Sequence, residues 1–397
     1  MIDTIRLLEL DKLAKDEGKK YAKKRNVYTS LIKKTKHFIG IVGPRGVGKT
    51  ILLKQIALSM QESFYLSADT LENEDLFEIA KTLKERYKIK CLLIDEIHFQ
   101  QDFDKKLKQI FDFLDIRIIF TSSVALSIVE SSYDLSRRVE LIHVNPFSFR
   151  EFLLFKYDRD LPALTFGDLI EKNWTVEHLK TELYFDEYLR GGLMPFALEE
   201  GDILPLLSNI LQKIIQRDIP HVAKLGISEL PLIEKMVRFI GKSAIEGINY
   251  SSLSHNIGIT KYKAESYMSL LKNAFVLHPV FPKGTNVLRE PKVLMFLPYR
   301  LLYRDFSEAV GGLREDFFAQ EMFFHHKNFF YLKSNRGEKT PDYLIQDDNE
   351  DIVIEIGGKS KGRSQFKGID IEKKIILTHR GVSDDIKRPL FLLGFIR

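Results

Sequence analysis

At 397 residues the chain is longer than one hydrophobic core supports, since single cores stop growing near about 250–300 residues, so two or three domains are expected. Apolar residues at 44% and charged residues at 29% fit an ordinary globular protein, and no run of 18 apolar residues is present, which excludes a helical membrane span. The single cysteine, Cys91, excludes an intrachain disulfide and fits a reducing cytoplasm, while a net charge of +5 permits a nucleic-acid partner without arguing for one.

Residues 1–36 carry eleven Lys or Arg against five Asp or Glu, with Ile5, Leu7, Leu8, Leu10 and Leu13 apolar. They predict a basic amphipathic helix, not a signal peptide, because no uninterrupted apolar stretch exists. The apolar run Phe38–Val42 then leads into Gly43-Pro44-Arg45-Gly46-Val47-Gly48-Lys49-Thr50, and Ile51 onward continues with helical spacing. This is G-x-x-x-x-G-K-[ST] in its strand–loop–helix setting. Glycines leave backbone N–H groups free to face phosphate oxygens, and the following helix adds its positive end. Residues 43–51 are therefore the candidate nucleotide contacts. Lys49 would reach the β- and γ-phosphates and the Thr50 hydroxyl would ligate Mg²⁺.

A short strand at 63–67 and a helix at 75–87 precede Cys91-Leu92-Leu93-Ile94-Asp95-Glu96. Four apolar residues followed by two acids predict a buried parallel strand delivering carboxylates at its end. The pair begins 46 residues after Lys49, where Asp95 would hold Mg²⁺ and Glu96 would act as general base on water. His98 reads as a packed supporting residue. A helix at 105–114 leads to the strand 116–123, which ends in the hydroxyls Thr121, Ser122 and Ser123. These hydroxyls face either a γ-phosphate or the cap of the next helix. The order of strands and helices predicts a parallel βαβ sheet. Arg137 and Arg138 stand just before the next strand, either to act on a phosphate, in their own site or a neighbour's, or to form a surface ion pair.

Further on, residues 251–271 predict a helix, a Gly258 turn, a Thr260 cap and a second helix, with a strand at 276–281 as a wing. Lys261, Lys263 and Ser266 would lie in a major groove if this helix-turn-helix reads duplex DNA. The alternative is a linker module or a protein contact.

The motifs at 43–50, 95–96, 121–123 and 138, with Pro146-Phe147-Ser148-Phe149-Arg150-Glu151-Phe152 and Gly191-Gly192-Leu193-Met194-Pro195, together resemble a prokaryotic AAA+ family. Its members join an archaeal-type P-loop ATPase to a winged helix and a C-terminal nuclease-like domain of unknown function. The resemblance implies an α/β fold: a P-loop AAA+ parallel sheet with a helical lid region, a winged-helix domain and a C-terminal α+β nuclease-like domain. The corresponding segments are 1–36 (basic helix), 37–204 (ATPase and lid), 205–285 (winged helix) and 286–397 (nuclease-like). By the same resemblance Asp95 and Glu96 are the Walker B acids, Ser122 or Ser123 is a sensor, and Arg138 matches the family arginine, with Arg137 where a glycine usually stands. Arg190, beside the glycine pair, is a candidate second phosphate sensor.

The last segment resembles the PD-(D/E)xK nuclease core. Glu315 would lie on its first helix, and Asp342 and Glu355 on paired strands would share a second Mg²⁺. The lysine expected two residues after the second acid is replaced by Gly357, so either Lys359, with Gln365 near it, swings in from the glycine loop, or the domain is a degenerate, structural one. The expectation is an ATP- and Mg²⁺-dependent ATPase that couples nucleotide state to the movement of the later domains. The alternatives are an ATP-gated DNA-binding protein or nuclease, and a slow nucleotide switch with a protein partner.

Overall fold

The computed structural model describes residues 4–33, 35–71, 74–123, 135, 137–223, 225–284, 290–333, 340–346, 350–358, 361–366, 368–380 and 383–397. The chain forms two compact units, one of Met1–Pro146 with Gln216–Lys224, the other of Phe147–Ile215 with Leu225–Arg397. The expected 37–204 segment thus spans both.

Among its described residues the first unit is built on five strands, β1 (Phe38–Val42), β2 (Ser63–Ser67), β3 (Cys91–Asp95), β4 (Arg117–Ser122) and β5 (Val139–His143). Their spatial order is β2-β3-β4-β1-β5, all parallel. Every residue of β1 and β3 is buried, as a parallel strand covered on both faces requires. The pleat sends alternate residues to opposite cores. Phe38, Val42, Leu92 and Ile94 pack with α4 (Leu76–Tyr87) and α5 (Phe103–Phe113), whereas Ile39, Ile41 and Leu93 pack with α3 (Lys49–Ser59). Leu52, Leu53 and Ile56 of α3 are almost wholly buried, each stabilising the unit by about 1.5–3 kcal/mol.

The N-terminal segment departs from the expected single helix. It forms α1 (Thr4–Gly18) and a short α2 (Tyr28–Leu31) with a non-helical stretch between them. The face buried is Leu7, Asp11, Ala14 and Gly18, while Ile5 and Leu13 stay exposed. Gly18 allows the close approach: a Cβ there would sit 2.9 Å from the Lys54 carbonyl oxygen. The stretch beyond is held by polar contacts, with Gln55 donating to the Tyr21 and Lys23 carbonyls and Arg25 to those of Val47 and Asn145.

In the second unit Ser148 and Glu151 form a reciprocal capping box that starts the helix Phe149–Tyr157. The following segment, part of the expected helical lid region, breaks at Asp158 and Lys172, both left-handed. Phe149, Phe152 and Tyr188 share one core with Phe317, Phe391 and Phe395, and Trp174 packs against it half-buried. Gly191, at φ +129°, closes a turn where a Cβ would meet Ile203 at 1.9 Å. The helices Tyr250–Ile257 and Lys261–Asn273 flank left-handed Gly258, and Thr260 accepts from the Lys263 N–H as a cap. The strand expected at 276–281 is β6 (Leu277–Val280), paired antiparallel with β7 (Lys292–Met295). A mixed sheet of described strands follows. It comprises β8 (Asn328–Tyr331), β9 (Tyr343–Gln346), β10 (Asp351–Gly357), β11 (Lys373–Thr378) and β12 (Lys387–Pro389), in the order β12-β11-β10-β9-β8. No helix among the described residues is long and apolar enough to cross a membrane.

Candidate nucleotide site

In the first unit β1, β4 and β3 are neighbours, so the loop after β1, the acids after β3 and the hydroxyls ending β4 emerge at one carboxyl edge of the sheet. Such an edge is where open parallel sheets bind ligands. The loop has the shape its glycines allow. Gly46 (φ 82°) and Gly48 (φ 86°) are left-handed, and Gly48 caps α3. A Cβ on Gly43 would lie 2.0 Å from the Val144 carbonyl oxygen. Val47 is fully buried beneath the loop.

Lys49 is buried, and its Nζ donates to the carbonyl oxygens of Gly43 and Pro44, both at 2.8 Å. Burial pushes its pKa down to about 8, a shift opposed by the nearby Glu96 carboxylate. Thr50 Oγ1 donates to Asp95 Oδ2 at 2.7 Å, and the Tyr65 hydroxyl donates to the same oxygen at 3.0 Å. Thr121 Oγ1 donates to Asp95 Oδ1 at 2.5 Å and accepts from the Glu96 N–H at 2.8 Å. Burial, then the charge of Glu96, raises the pKa of Asp95, and the three hydroxyls work against that rise. Glu96 itself is left-handed (φ 51°, ψ 49°), an uncommon conformation for a non-glycine residue. One carboxylate oxygen lies 3.3 Å from His98 Nδ1, the other 3.6 Å from Arg45 Nη1. Ser122 Oγ lies 3.2 Å from the same His98 nitrogen.

Residues 35–153 match the family described as an AAA domain. This unit therefore carries a module of the nucleotide-binding ATPase kind. Residues 182–296 match a domain of unknown function. Across most of its length the chain is similar to the uncharacterized protein MJ1637 of Methanocaldococcus jannaschii, 28% identical over 374 residues that cover 84% of this chain and 78% of that one. Among solved structures it is similar to the Aeropyrum pernix ORC1 protein in complex with DNA (12% identity, 73% of this chain and 89% of that chain, TM-score 0.29). It is also similar to a mutant of Thermotoga maritima RuvB (15% identity, 69% and 88%, TM-score 0.31).

The register narrows the alternatives left open for Arg138, which were its own site, a neighbour's site or a surface ion pair. Arg138 precedes Val139, which pairs with Phe38 at the start of β1, so it sits at the amino edge of the sheet. The phosphate loop leaves the other end of β1, about 16 Å along the strand for five residues. Arg138 cannot serve the phosphate site of its own chain. It pairs with Asp112 through two nitrogens at 3.0 and 3.1 Å and lies over the Phe111 ring. Thr121, rather than Ser122 or Ser123, is the hydroxyl that touches both acids. The sequence places all three at the strand end, and the family resemblance makes Ser122 or Ser123 the sensor; Thr121 could not be singled out because its contact depends on the register of β4 beside β3.

Elsewhere the expected residues fall as follows. Arg190 stacks on Phe306, 3.7 Å from the ring centroid. Lys261 and Lys263 are paired with Glu290 and Glu229, each at 3.2 Å. Lys359 lies outside the described residues. Among the described residues no group of three or more His, Cys, Asp or Glu is placed to hold a metal. Asp342 accepts from the Ile356 N–H at 2.8 Å, and burial together with Glu315 and Glu355 pushes its pKa up to about 7. Glu355 is buried, and Lys361 reaches it at 2.5 Å. The Lys361 stem crosses Gly357, where a Cβ would come within 2.5 Å of its Cγ. Sequence reasoning missed Lys361. The signal was the glycine itself, which opens the groove a longer arm occupies.

Proposed function

We propose that this protein binds ATP with Mg²⁺ at residues 43–51, Asp95 and Glu96, and hydrolyses it with Glu96 as the general base. The observation that carries the reading is the Thr50–Asp95–Thr121 lattice beside the amino end of α3, with Glu96 next to it. Helix amides and Lys49 suit phosphate oxygens, and Lys49 would exchange its two carbonyl contacts for them. The Thr50 hydroxyl and Asp95 carboxylate are hard oxygen donors that fit Mg²⁺, which when bound would neutralise charge on the phosphoryl group. Glu96 would take the proton of the attacking water, and His98 and Ser122 would orient Glu96. Nucleotide state would reach the helix-turn-helix and C-terminal segments through the chain crossings at 146–147, 215–216 and 224–225.

Calorimetric titration with Mg-ATP tests this reading. The heat should vanish in Lys49→Ala. In the wild type, Lys49 of the nucleotide-free protein titrates near pH 8 and bound phosphate raises that value. Above pH 8 binding must therefore take up a proton, so affinity should be flat below pH 8 and fall towards about tenfold per pH unit above it. A constant affinity from pH 7 to 9.5 would remove Lys49 from the phosphate contact.

A second reading, nucleic-acid cleavage by the C-terminal sheet, is favoured by the Lys361 arm laid over Gly357 onto Glu355. Asp342 and Glu355 would be the acids holding Mg²⁺, and duplex DNA the partner. Incubation of labelled duplex with Mg²⁺ should give cutting that Asp342→Ala abolishes. Intact duplex with the wild type at low salt, with and without ATP, would leave the ATPase reading, or a slow nucleotide switch acting on a protein partner.

A further inference from the structure

The first unit is discontinuous: the chain leaves it after Pro146 and returns for the strap Gln216–Lys224. Asp218 on this strap is fully buried, and its two carboxylate oxygens take Arg45 of the phosphate loop at 2.5 and 2.8 Å. The remaining terminal nitrogen of Arg45 lies 3.6 Å from Glu96. One residue earlier on the strap, Arg217 stacks 4.7 Å from the ring centre of Phe99, three residues after Glu96. The strap thus grips both the phosphate loop and the turn that presents the base.

A forked guanidinium binds carboxylate and phosphate through the same two-pronged geometry. Arg45 stands inside the loop whose amides and lysine suit phosphate, yet its fork is directed at Asp218. Exchange of one oxyanion for the other would keep the Arg45 charge compensated throughout, so no buried cation is stranded during the switch. We propose that Asp218 is an internal stand-in for phosphate. It holds Arg45, and through Arg45 the base Glu96, in the nucleotide-free protein, and nucleotide phosphate displaces it and releases the strap. This rests on the nucleotide-site reading above and adds its regulation: strap release and nucleotide binding are two sides of one competition.

The test compares Mg-ATP affinity in the full-length wild type, Lys49→Ala and Asp218→Asn. It also follows amide hydrogen exchange over 216–223 in the wild type with and without saturating Mg-ATP. Asp218→Asn should lower Kd by about tenfold, and nucleotide should speed exchange in the strap. The exchange measurement needs no variant, so it stands even if the substitution disturbs folding. Binding by the wild type and loss in Lys49→Ala would uphold the site. In that case an unchanged or raised Kd in Asp218→Asn, or strap exchange that slows or stays the same with nucleotide, overturns the strap alone. Absence of nucleotide binding in the wild type overturns both.

Discussion

Glu96→Gln is expected to bind Mg-ATP within a fewfold of the wild type and to lose about 10²–10⁴ in turnover, the range that a positioned general base contributes. The substitution keeps the side chain's shape. It also keeps the left-handed backbone at position 96, whose N–H is anchored on Thr121, so the loop has no reason to move. What disappears is the basic carboxylate. The interaction with Arg45 at 3.6 Å weakens with it, which accounts for the fewfold allowed in affinity. Single-turnover hydrolysis alongside a binding titration separates the two effects. Turnover within twofold of the wild type would transfer the base role away from Glu96. A parallel loss of binding would make Glu96 a structural anchor of the loop.

Asp316→Ala is expected to destabilise the second unit by about 3–5 kcal/mol, read from urea midpoints at unchanged slope. Asp316 and Arg300 are both within 1% of complete burial. The carboxylate accepts from Arg300 Nε at 2.6 Å and Nη2 at 2.8 Å, and also from the Met295 N–H at 2.9 Å. Removing it strands a buried guanidinium and a backbone donor together, which costs more than the pair itself contributes. Gly312 belongs to the same arrangement: on the helix Phe306–Phe324, a Cβ there would lie 2.8 Å from Arg300 Nε. Joint replacement of Arg300 by Met and Asp316 by Leu should recover most of the loss, because apolar residues of similar volume often replace a buried pair at little cost. A midpoint for Asp316→Ala close to that of the wild type would show that water reaches Arg300 in solution.

The parts of the site legible in the sequence are those that a few consecutive residues determine. The phosphate loop is one, since two of its glycines must adopt positive φ and its lysine follows directly onto a helix. The acid pair is another, because a strand buried on both faces announces itself as an apolar run and the acids mark its end. Residues that act across the fold left no such trace. Asp218 lies 173 residues from Arg45, and nothing near it distinguishes it from a surface acid. Arg138 was named through family resemblance, but its distance from the loop follows only from the parallel register of β5 on β1. The N-terminal helix was over-extended because charge and apolar content were counted over 36 residues. Apolar spacing sets the buried face only as far as Gly18, and the lysines beyond it have no apolar stripe to lay against the sheet.

The discontinuity of the first unit also bears on how the protein is made. When Pro146 leaves the ribosome all five described strands of the parallel sheet have been synthesised, yet the strap is still to come. Synthesis at about 5–20 residues per second means that Phe147–Ile215 takes several seconds, longer than the folding of many domains. Asp218 is synthesised only after that interval, and its pairing with Arg45 closes a very long loop. The nascent chain passes through a stage in which the phosphate loop exists and its strap does not. On the competition proposed above, nucleotide would meet the loop first, before Asp218 arrives to take Arg45.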